Sequence, residues 1–363
     1  MAGSIRYKTK IAVIGAGQAG LSAAYHLKKL GWEIGRDFII LDDAPHAGGA
    51  WQDRWDSLTL STVNRIHDLP SMSFEETLAN PQATEVQANI AVPHYFDLYE
   101  KTFGLKVFRP LKVERVSLHE PLFYIDTAST AFSAHGIING TGTWLNPYIP
   151  VYPGAETFEG EQLHTQDFKT ASYFKGKHVI VVGGGISAIQ LLDQISQVTT
   201  TTWVTRRPPV FRAGPFDDAA GHEAVAMVEE RVRKGLPPLS VVSVTGLPVN
   251  DSVKQMEARG VLHRLPMFSE ITKDGVKWAD GAEKKADVIL WNTGFKGALD
   301  HLAAVVPREE GGGILIDGRL ATRVAKQPRI HLVGYGPSAS TIGANRAGRA
   351  AVQELIETLG LSK

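Results

Sequence analysis

The chain has 363 residues, 43% of them hydrophobic, and its 38 Lys and Arg balance 38 Asp and Glu, for a net charge of zero. That balance gives no electrostatic ground for nucleic acid or an anionic membrane as partner, and no uninterrupted apolar run approaches the roughly 20 residues that cross a bilayer. Cysteine is absent, which excludes disulfides, thiolate metal sites and a redox-active cysteine pair; any electrons must go to a substrate, to oxygen or to a partner.

Length suggests about two domains. The polar start, Met1 to Lys10, runs straight into Ile11-Ala12-Val13-Ile14, so a cytoplasmic protein without a signal peptide is expected. After this first strand comes Gly15-Ala16-Gly17-Gln18-Ala19-Gly20, then Leu21 to Leu30, which reads as a helix closed by Gly31. Gly15 permits the tight turn, Gly17 lets a pyrophosphate approach the backbone, and Gly20 lets helix and strand pack closely. The free N–H groups and dipole of the helix start favour a phosphate there. Phe38-Ile39-Ile40-Leu41 is the expected second strand, and Asp42 after it is placed to accept hydrogen bonds from a ribose. This pattern predicts a dinucleotide site.

Next come Gly48-Gly49-Ala50-Trp51 and Trp55. Paired glycines let backbone approach a flat ligand; Trp51 and Trp55 either pack against it or fill core. Residues 64–92 read as a loop, and His94 to Phe103 as a helix with a core face. Strands are expected at Leu111–Leu118 (with Val113), Leu122–Ile125 and Gly136–Ile138, the last ending in Asn139-Gly140-Thr141-Gly142. Small residues at a strand end suggest a second close approach to a cofactor. Pro147, Pro150 and Pro153 mark an extended crossing between domains.

The opening pattern then returns. His178–Val182 is a strand, Gly183-Gly184-Gly185-Ile186-Ser187-Ala188 the turn, and Ile189–Ile195 the helix. Alanine in the third glycine position fits the same fingerprint. After the next strand, Trp203-Val204-Thr205, stands Arg206-Arg207 in place of an acid. An acid suits a ribose 2′-hydroxyl, whereas arginine suits a 2′-phosphate, so the second site reads as built for NADPH; the alternative is a solvated arginine pair. Two such units argue for two nucleotides, one of them FAD. Residues 217–234 form an amphipathic helix whose Asp217, Asp218 and His222 fit a solvated face better than catalysis. Ala286–Trp291 is a buried strand ending in Asn292-Thr293-Gly294-Phe295, which repeats the Gly140-Thr141-Gly142 theme. After the strand Arg329–Gly334, Ser340-Thr341-Ile342-Gly343 opens a terminal helix. Its N-terminus either faces a flavin ring or is an ordinary Ser-capped start.

These motifs resemble the class B flavoprotein monooxygenases, especially the flavin-containing monooxygenases and their small bacterial relatives. The first glycine turn, Gly48-Gly49-x-Trp51 and the turn at Gly183 to Ala188 all fit. Phe158-x-Gly160-x-x-x-His164-Thr165-x-x-Phe168 looks like the family's identifying sequence, and Phe168-Lys169 leans away from the Baeyer–Villiger branch. Asn292-Thr293-Gly294-Phe295 resembles the family's later motif. The resemblance implies an α/β fold of two Rossmann-like dinucleotide-binding domains, the second inserted in the first: residues 1–160 and 296–363 for FAD, residues 161–295 for NAD(P)H. It implies cofactor contacts from Gly15, Gly17, Gln18, Ala19, Gly20, Asp42, Gly49, Ala50, Trp51, Val113, Thr141, Gly142, Thr341 and Ile342. On the second nucleotide it implies His164, Thr165, Gly183, Gly185, Ile186, Ser187, Ala188, Arg206, Arg207, Thr293 and Gly294. Many members carry an active-site Asn after the stretch near Leu58-Thr59-Leu60; here Val63 holds that register and Asn64, one residue on, is the catalytic candidate.

The implied activity is an NADPH-using, FAD-dependent monooxygenation, with NADH a poorer donor and no metal. A C4a-hydroperoxyflavin would deliver oxygen from O2 to a sulfide, an amine or a ketone. The partners are a small-molecule substrate and O2, and a homodimer is compatible. Two other functions remain: an NADPH oxidase or reductase passing electrons to oxygen, a quinone or a protein, and a non-enzymatic nucleotide sensor.

Overall fold

The computed structural model describes residues 5–63, 66–83, 85–212, 218–239 and 246–361. It divides into two compact units: residues 1–145, 225–239 and 297–363, and residues 146–224 and 240–296.

In the first unit the strand Ile5–Ile14, which ends in the branched apolar run Ile11–Ile14, is the central strand. It lies parallel between Phe38–Leu41 and Ala131–Asn139. Beyond Phe38–Leu41 lies the short strand Val107–Phe108, and beyond Ala131–Asn139 lies Ile330–Leu332. These central strands are apolar on both faces, as a covered parallel sheet requires. Ile11, Val13 and Ile40 pack under the helices, while Ala12, Ile39 and Ile137 join Phe123 and Leu302 on the other side. The helix Gln18–Lys29 follows the glycine turn. Against it lies the terminal helix Thr341–Thr358, so closely that a Cβ on Gly348 would stand 2.9 Å from the Ala23 nitrogen.

The middle helix is longer than its sequence suggests, Ala88–Phe103 with Pro93 inside. Pro93 cannot donate an intrahelical bond, but its ring covers Gly48, where a Cβ would sit 2.8 Å from it. Tertiary packing therefore holds a helix through the residue that reads as a loop end.

In the second unit a five-stranded sheet has the order Arg264–Pro266, Thr201–Thr205, Val179–Val182, Val288–Trp291, Glu161–His164, all parallel. The helix Ile186–Ser196 follows its glycine turn. A small antiparallel sheet, Glu270–Thr272, Gly275–Lys277 and Glu283–Lys285, covers one side. Both units thus carry the strand, glycine turn, helix and parallel strand of an α/β dinucleotide-binding fold.

The units differ in extent from the expected domains. The chain passes into the second unit after Leu145, not at residue 160. The reason is local hydrogen bonding: Tyr148 N–H donates to Gly294 O, Ile271 N–H to Pro153 O, and Glu159 N–H to Lys273 O. Residues 225–239 return to the first unit, because Val232 on the helix Asp218–Arg233 is buried among Leu299, Leu302 and Val306. Among the described residues no helix is long and apolar enough to cross a membrane.

Replacing Gly348 by Val should strain the contact between the first and last helices and lower stability by about 1–3 kcal/mol. Thermal unfolding measures it; an unchanged midpoint would mean the helices can separate freely at that point.

Candidate functional site

Each unit has the same interlock at its glycine turn. Gly15 has φ +94°, and a Cβ there would meet Gly140 O at 2.5 Å; Gly183 has φ +141°, and a Cβ there would meet Asn292 O at 2.3 Å. The small-residue strand ends at Gly140 and Asn292 are therefore the partners of the two glycine turns. In the first unit Gly20 also presses on the turn, a Cβ there lying 1.8 Å from Gly15 O. The matching position in the second unit is Ala188, fully buried.

The middle glycines behave differently. Gly17 and Gly185 are the N-caps of their helices, in extended backbone with no side-chain cap and no acid in the following turn. A Cβ on either meets nothing within 4 Å. A helix start with uncapped N–H groups, no neutralising carboxylate and open space over a glycine fits a phosphate. Gly142, φ +65°, is likewise open, whereas at Gly49, φ +51°, a Cβ would lie 3.1 Å from the Gly17 Cα. The turn Gly49–Trp51 thus borders the first glycine turn. Trp55 is core, 2% exposed, while Trp51 stays half-buried. Ala19 is buried at the helix start. The Gln18 side chain donates to His67 O and to Asn345 Oδ1, 3.0 Å each, which leaves its buried Oε1 without a donor among the described residues.

Asp42 stands at the strand end as expected, but not alone. Its Oδ1 accepts from Ala16 N–H at 3.2 Å, and its Oδ2 lies 3.1 Å from both Nε and Nη2 of Arg109. Arg109 in turn grips Glu100 through two bonds of 2.7 and 2.9 Å. Burial pushes the Asp42 carboxyl up, and Arg109 and the Ala16 N–H pull it down. Sequence offers no signal for Arg109: it follows a two-residue strand and reaches Asp42 across 67 positions. Next to this group a cleft of about 430 Å³ is lined by Pro45, His46, Pro93, His94, Asp97 and Arg109.

A second polar chain holds the other border. His301 Nε2 donates to Asn139 Oδ1 (2.8 Å), Asn139 Nδ2 to Thr141 Oγ1 (2.9 Å), and Thr141 Oγ1 to Ala298 O (2.8 Å). Trp144, two residues past Gly142, stacks on the Arg54 guanidinium at 3.9 Å. Val113 begins its strand with its side chain in the core. At the terminal helix Ser340 Oγ accepts from Gly343 N–H at 3.1 Å, so the Ser-capped start is present, with Thr341 and Ile342 as the first helical residues. Asn64 and Asp217 lie outside the described residues, as do the side chains of Asp218, His222 and Ile342.

In the second unit His164 and Thr165 are each 1% exposed and turned into protein. His164 Nδ1 accepts from Gln166 N–H, which puts the proton on Nε2 for Gly294 O at 3.0 Å. Burial lowers the His164 pKa, against the pull of the Gly294 carbonyl and Asp167. Thr165 Oγ1 donates to Asn292 Oδ1 at 2.8 Å, and Thr293 Oγ1 donates to Tyr148 O. The identifying motif therefore pins the turn Asn292–Phe295 rather than facing an open site. Ile186 and Ser187, in the first helical turn, are half-buried, and Arg206 and Arg207 are exposed. Among the described residues no cluster of three or more His, Asp or Glu could hold a metal ion.

Residues 12–334 match the family described as pyridine nucleotide-disulphide oxidoreductase. A solved flavin-containing monooxygenase from Stenotrophomonas maltophilia is 32% identical, with TM-score 0.82 over 97% of this chain and 99% of that one. The uncharacterized oxidoreductase CzcO of Bacillus subtilis (strain 168) is 27% identical over 296 residues, 79% of this chain and 81% of its own. A Baeyer–Villiger monooxygenase of Streptomyces coelicolor is 27% identical over 232 residues, but that match spans only 42% of its length.

The glycines separate ligand space from folding space. Gly17→Val should fold with a near-normal melting midpoint yet purify with little bound flavin, whereas Gly20→Ala should lower the midpoint itself, because overpacking costs about 1–3 kcal/mol of stability. Flavin absorbance and thermal unfolding read the two; a flavin-replete Gly17→Val would exclude the phosphate role. A pH effect also follows. Burial lowers the His301 pKa from 6.5 to about 4, so the unfolded chain binds the proton first and stability falls as pH drops below 6.5 toward 4. His301→Gln should flatten the decline in melting temperature between pH 7 and 5; an unaltered slope would assign the decline to other groups.

Proposed function

The chain belongs to the flavin-containing monooxygenases within the pyridine nucleotide-disulphide oxidoreductase family, and on that premise we propose that it oxygenates a soft nucleophile, a sulfide or an amine, or a ketone. As a member it is an oxygen-inserting oxidoreductase that uses FAD and NADPH and takes O2 and a small-molecule substrate. Bound FAD, reduced by NADPH, supplies the activation of O2 and the transfer of one oxygen atom. The family is named for disulphide chemistry, but a chain with no cysteine has no dithiol through which to pass electrons.

The observation that carries the reading is the contrast between the two strand ends. One ends in a buried acid paired with Arg109, the other in two exposed arginines, and each adjoins an uncapped, glycine-opened helix start. In this reading the first unit binds FAD. The N–H groups at Gly17 to Ala19 receive the pyrophosphate, Asp42 accepts the ribose hydroxyls, and the cleft beside Arg109 takes the adenosine end. Gly49, Ala50 and Trp51 on one side and Thr141 and Gly142 on the other border the ring, with Thr341 and Ile342 at the third. The His301–Asn139–Thr141 chain keeps that second border in one orientation. The second unit binds NADPH through Gly183 to Ala188, and Arg206 and Arg207 take the 2′-phosphate. His164 and Thr165 act through the turn they pin. The first unit corresponds to the FAD domain and the second to the NADPH domain.

The test supplies NADPH, methyl phenyl sulfide and ¹⁸O₂. The sulfoxide should carry one labelled oxygen, with peroxide well below the NADPH consumed. Peroxide equal to the NADPH consumed, with a sulfide, an amine and a ketone each present, would overturn oxygenation in favour of an oxidase or reductase.

A further inference from the structure

The strand Arg264–Pro266 lies parallel on the outer side of Thr201–Thr205, with Arg264 opposite Trp203 and Pro266 opposite Thr205. From there the Arg264 side chain reaches forward to the strand end. Its Nη1 donates to Thr205 O and to Thr205 Oγ1, at 3.2 Å each. Thr205 is 2% exposed, and its hydroxyl donates in turn to Arg207 O at 2.7 Å. The carbonyl that Arg264 grips belongs to the peptide bond that begins Arg206. One guanidinium is thus anchored at the root of the Arg206-Arg207 pair, and the same threonine ties it to both residues.

Among the described residues none of these three arginines is in an ion pair, although most other strand-edge arginines are: Arg115 with Asp126, Arg323 with Asp317, Arg329 with Glu120. The chain has equal numbers of basic and acidic residues, so the cluster does not follow from a generally basic composition. A strand end that carries arginines and no paired carboxylate attracts a group of high negative charge. A phosphate monoester carries about −1.5 to −2 charge at neutral pH and three strong acceptor oxygens. The two bonds to Thr205 use one nitrogen of a fork with five N–H donors, and the fork geometry matches phosphate oxygens.

We infer that Arg264 is a third arginine of the 2′-phosphate subsite and a determinant of selection for NADPH over NADH. The inference rests on the reading that Arg206 and Arg207 face the adenosine end of the second nucleotide. It adds a residue that lies 57 positions beyond that pair and belongs to no glycine fingerprint.

Two probes that differ only in the 2′-phosphate test it without turnover: adenosine 2′,5′-bisphosphate and adenosine 5′-monophosphate, titrated calorimetrically into the flavin-loaded protein. The wild-type chain should prefer the bisphosphate by at least about tenfold, the scale of one good charge-assisted contact. Arg264→Gln should remove roughly tenfold of that preference while monophosphate affinity stays within about twofold. Arg264→Lys keeps a charge and a donor for Thr205 but not the fork, and should still lose several-fold; if the Gln variant does not fold, this variant decides. Equal weakening of both probes would show that Arg264 only braces the strands, and an unaltered preference in either variant would also overturn the inference. The premise has its own readout. A wild-type chain without preference refutes the subsite altogether, whereas a preference lost in Arg206→Gln/Arg207→Gln but kept in Arg264→Gln refutes the role of Arg264 alone.

Discussion

The structure depends on backbone lying against backbone where no side chain fits. The Gly140 carbonyl occupies the place of a Cβ on Gly15, and the Gly15 carbonyl occupies the place of a Cβ on Gly20. The first parallel strand, its helix and the strand Ala131–Asn139 are locked together at that point. The second unit repeats the lock between Gly183 and Asn292. Close contact on one side leaves Gly17 and Gly185 uncrowded on the other, so each helix start is both rigid and open. Backbone held by such contacts is preorganised, and preorganisation lowers the cost of binding a ligand.

Charge then separates two sites that share one geometry. In the first, Asp42 is buried, and a buried carboxylate survives only when paired and hydrogen-bonded. Arg109 and the Ala16 N–H meet that need, and Glu100 holds Arg109 in place. In the second, arginines stand at the corresponding strand end with no carboxylate partner among the described residues. The same fold thus ends its second strand in an acid in one unit and in arginines in the other, the contrast on which the proposed FAD and NADPH sites rest.

The motif residues that look most chemical turn out to be structural supports. His164 spends both ring nitrogens on backbone, and Thr165 spends its hydroxyl on Asn292. Their spacing is demanded by the need to hold the turn at Gly294 against the end of the neighbouring strand. Asn139 does the same in the first unit, held by His301, which belongs to no motif. An oxygenating flavoenzyme asks its protein for position and a controlled environment, and such inner supports supply position.

Sequence alone determined both glycine turns, their strands and helices, and the acid and arginine after the second strand of each. These are local: a glycine turn between a branched apolar run and a helix has few alternative folds, and charge at the next strand end is read directly. The small-residue ends at Gly140 and Asn292 were also legible, though only as a repeated theme. Tertiary structure alone decided what reaches those points from afar. Arg109 at Asp42, His301 at Asn139 and Arg264 at Thr205 come from loops and short strands whose local sequence carries no period and no motif. The same holds for the passage into the second unit after Leu145, set by hydrogen bonds to residues more than a hundred positions on, and for the helix through Pro93. Local sequence encodes the glycine turn and the charge at the next strand end. The distant residues that hold those charges and strand ends in place come from long-range packing, which no local pattern records.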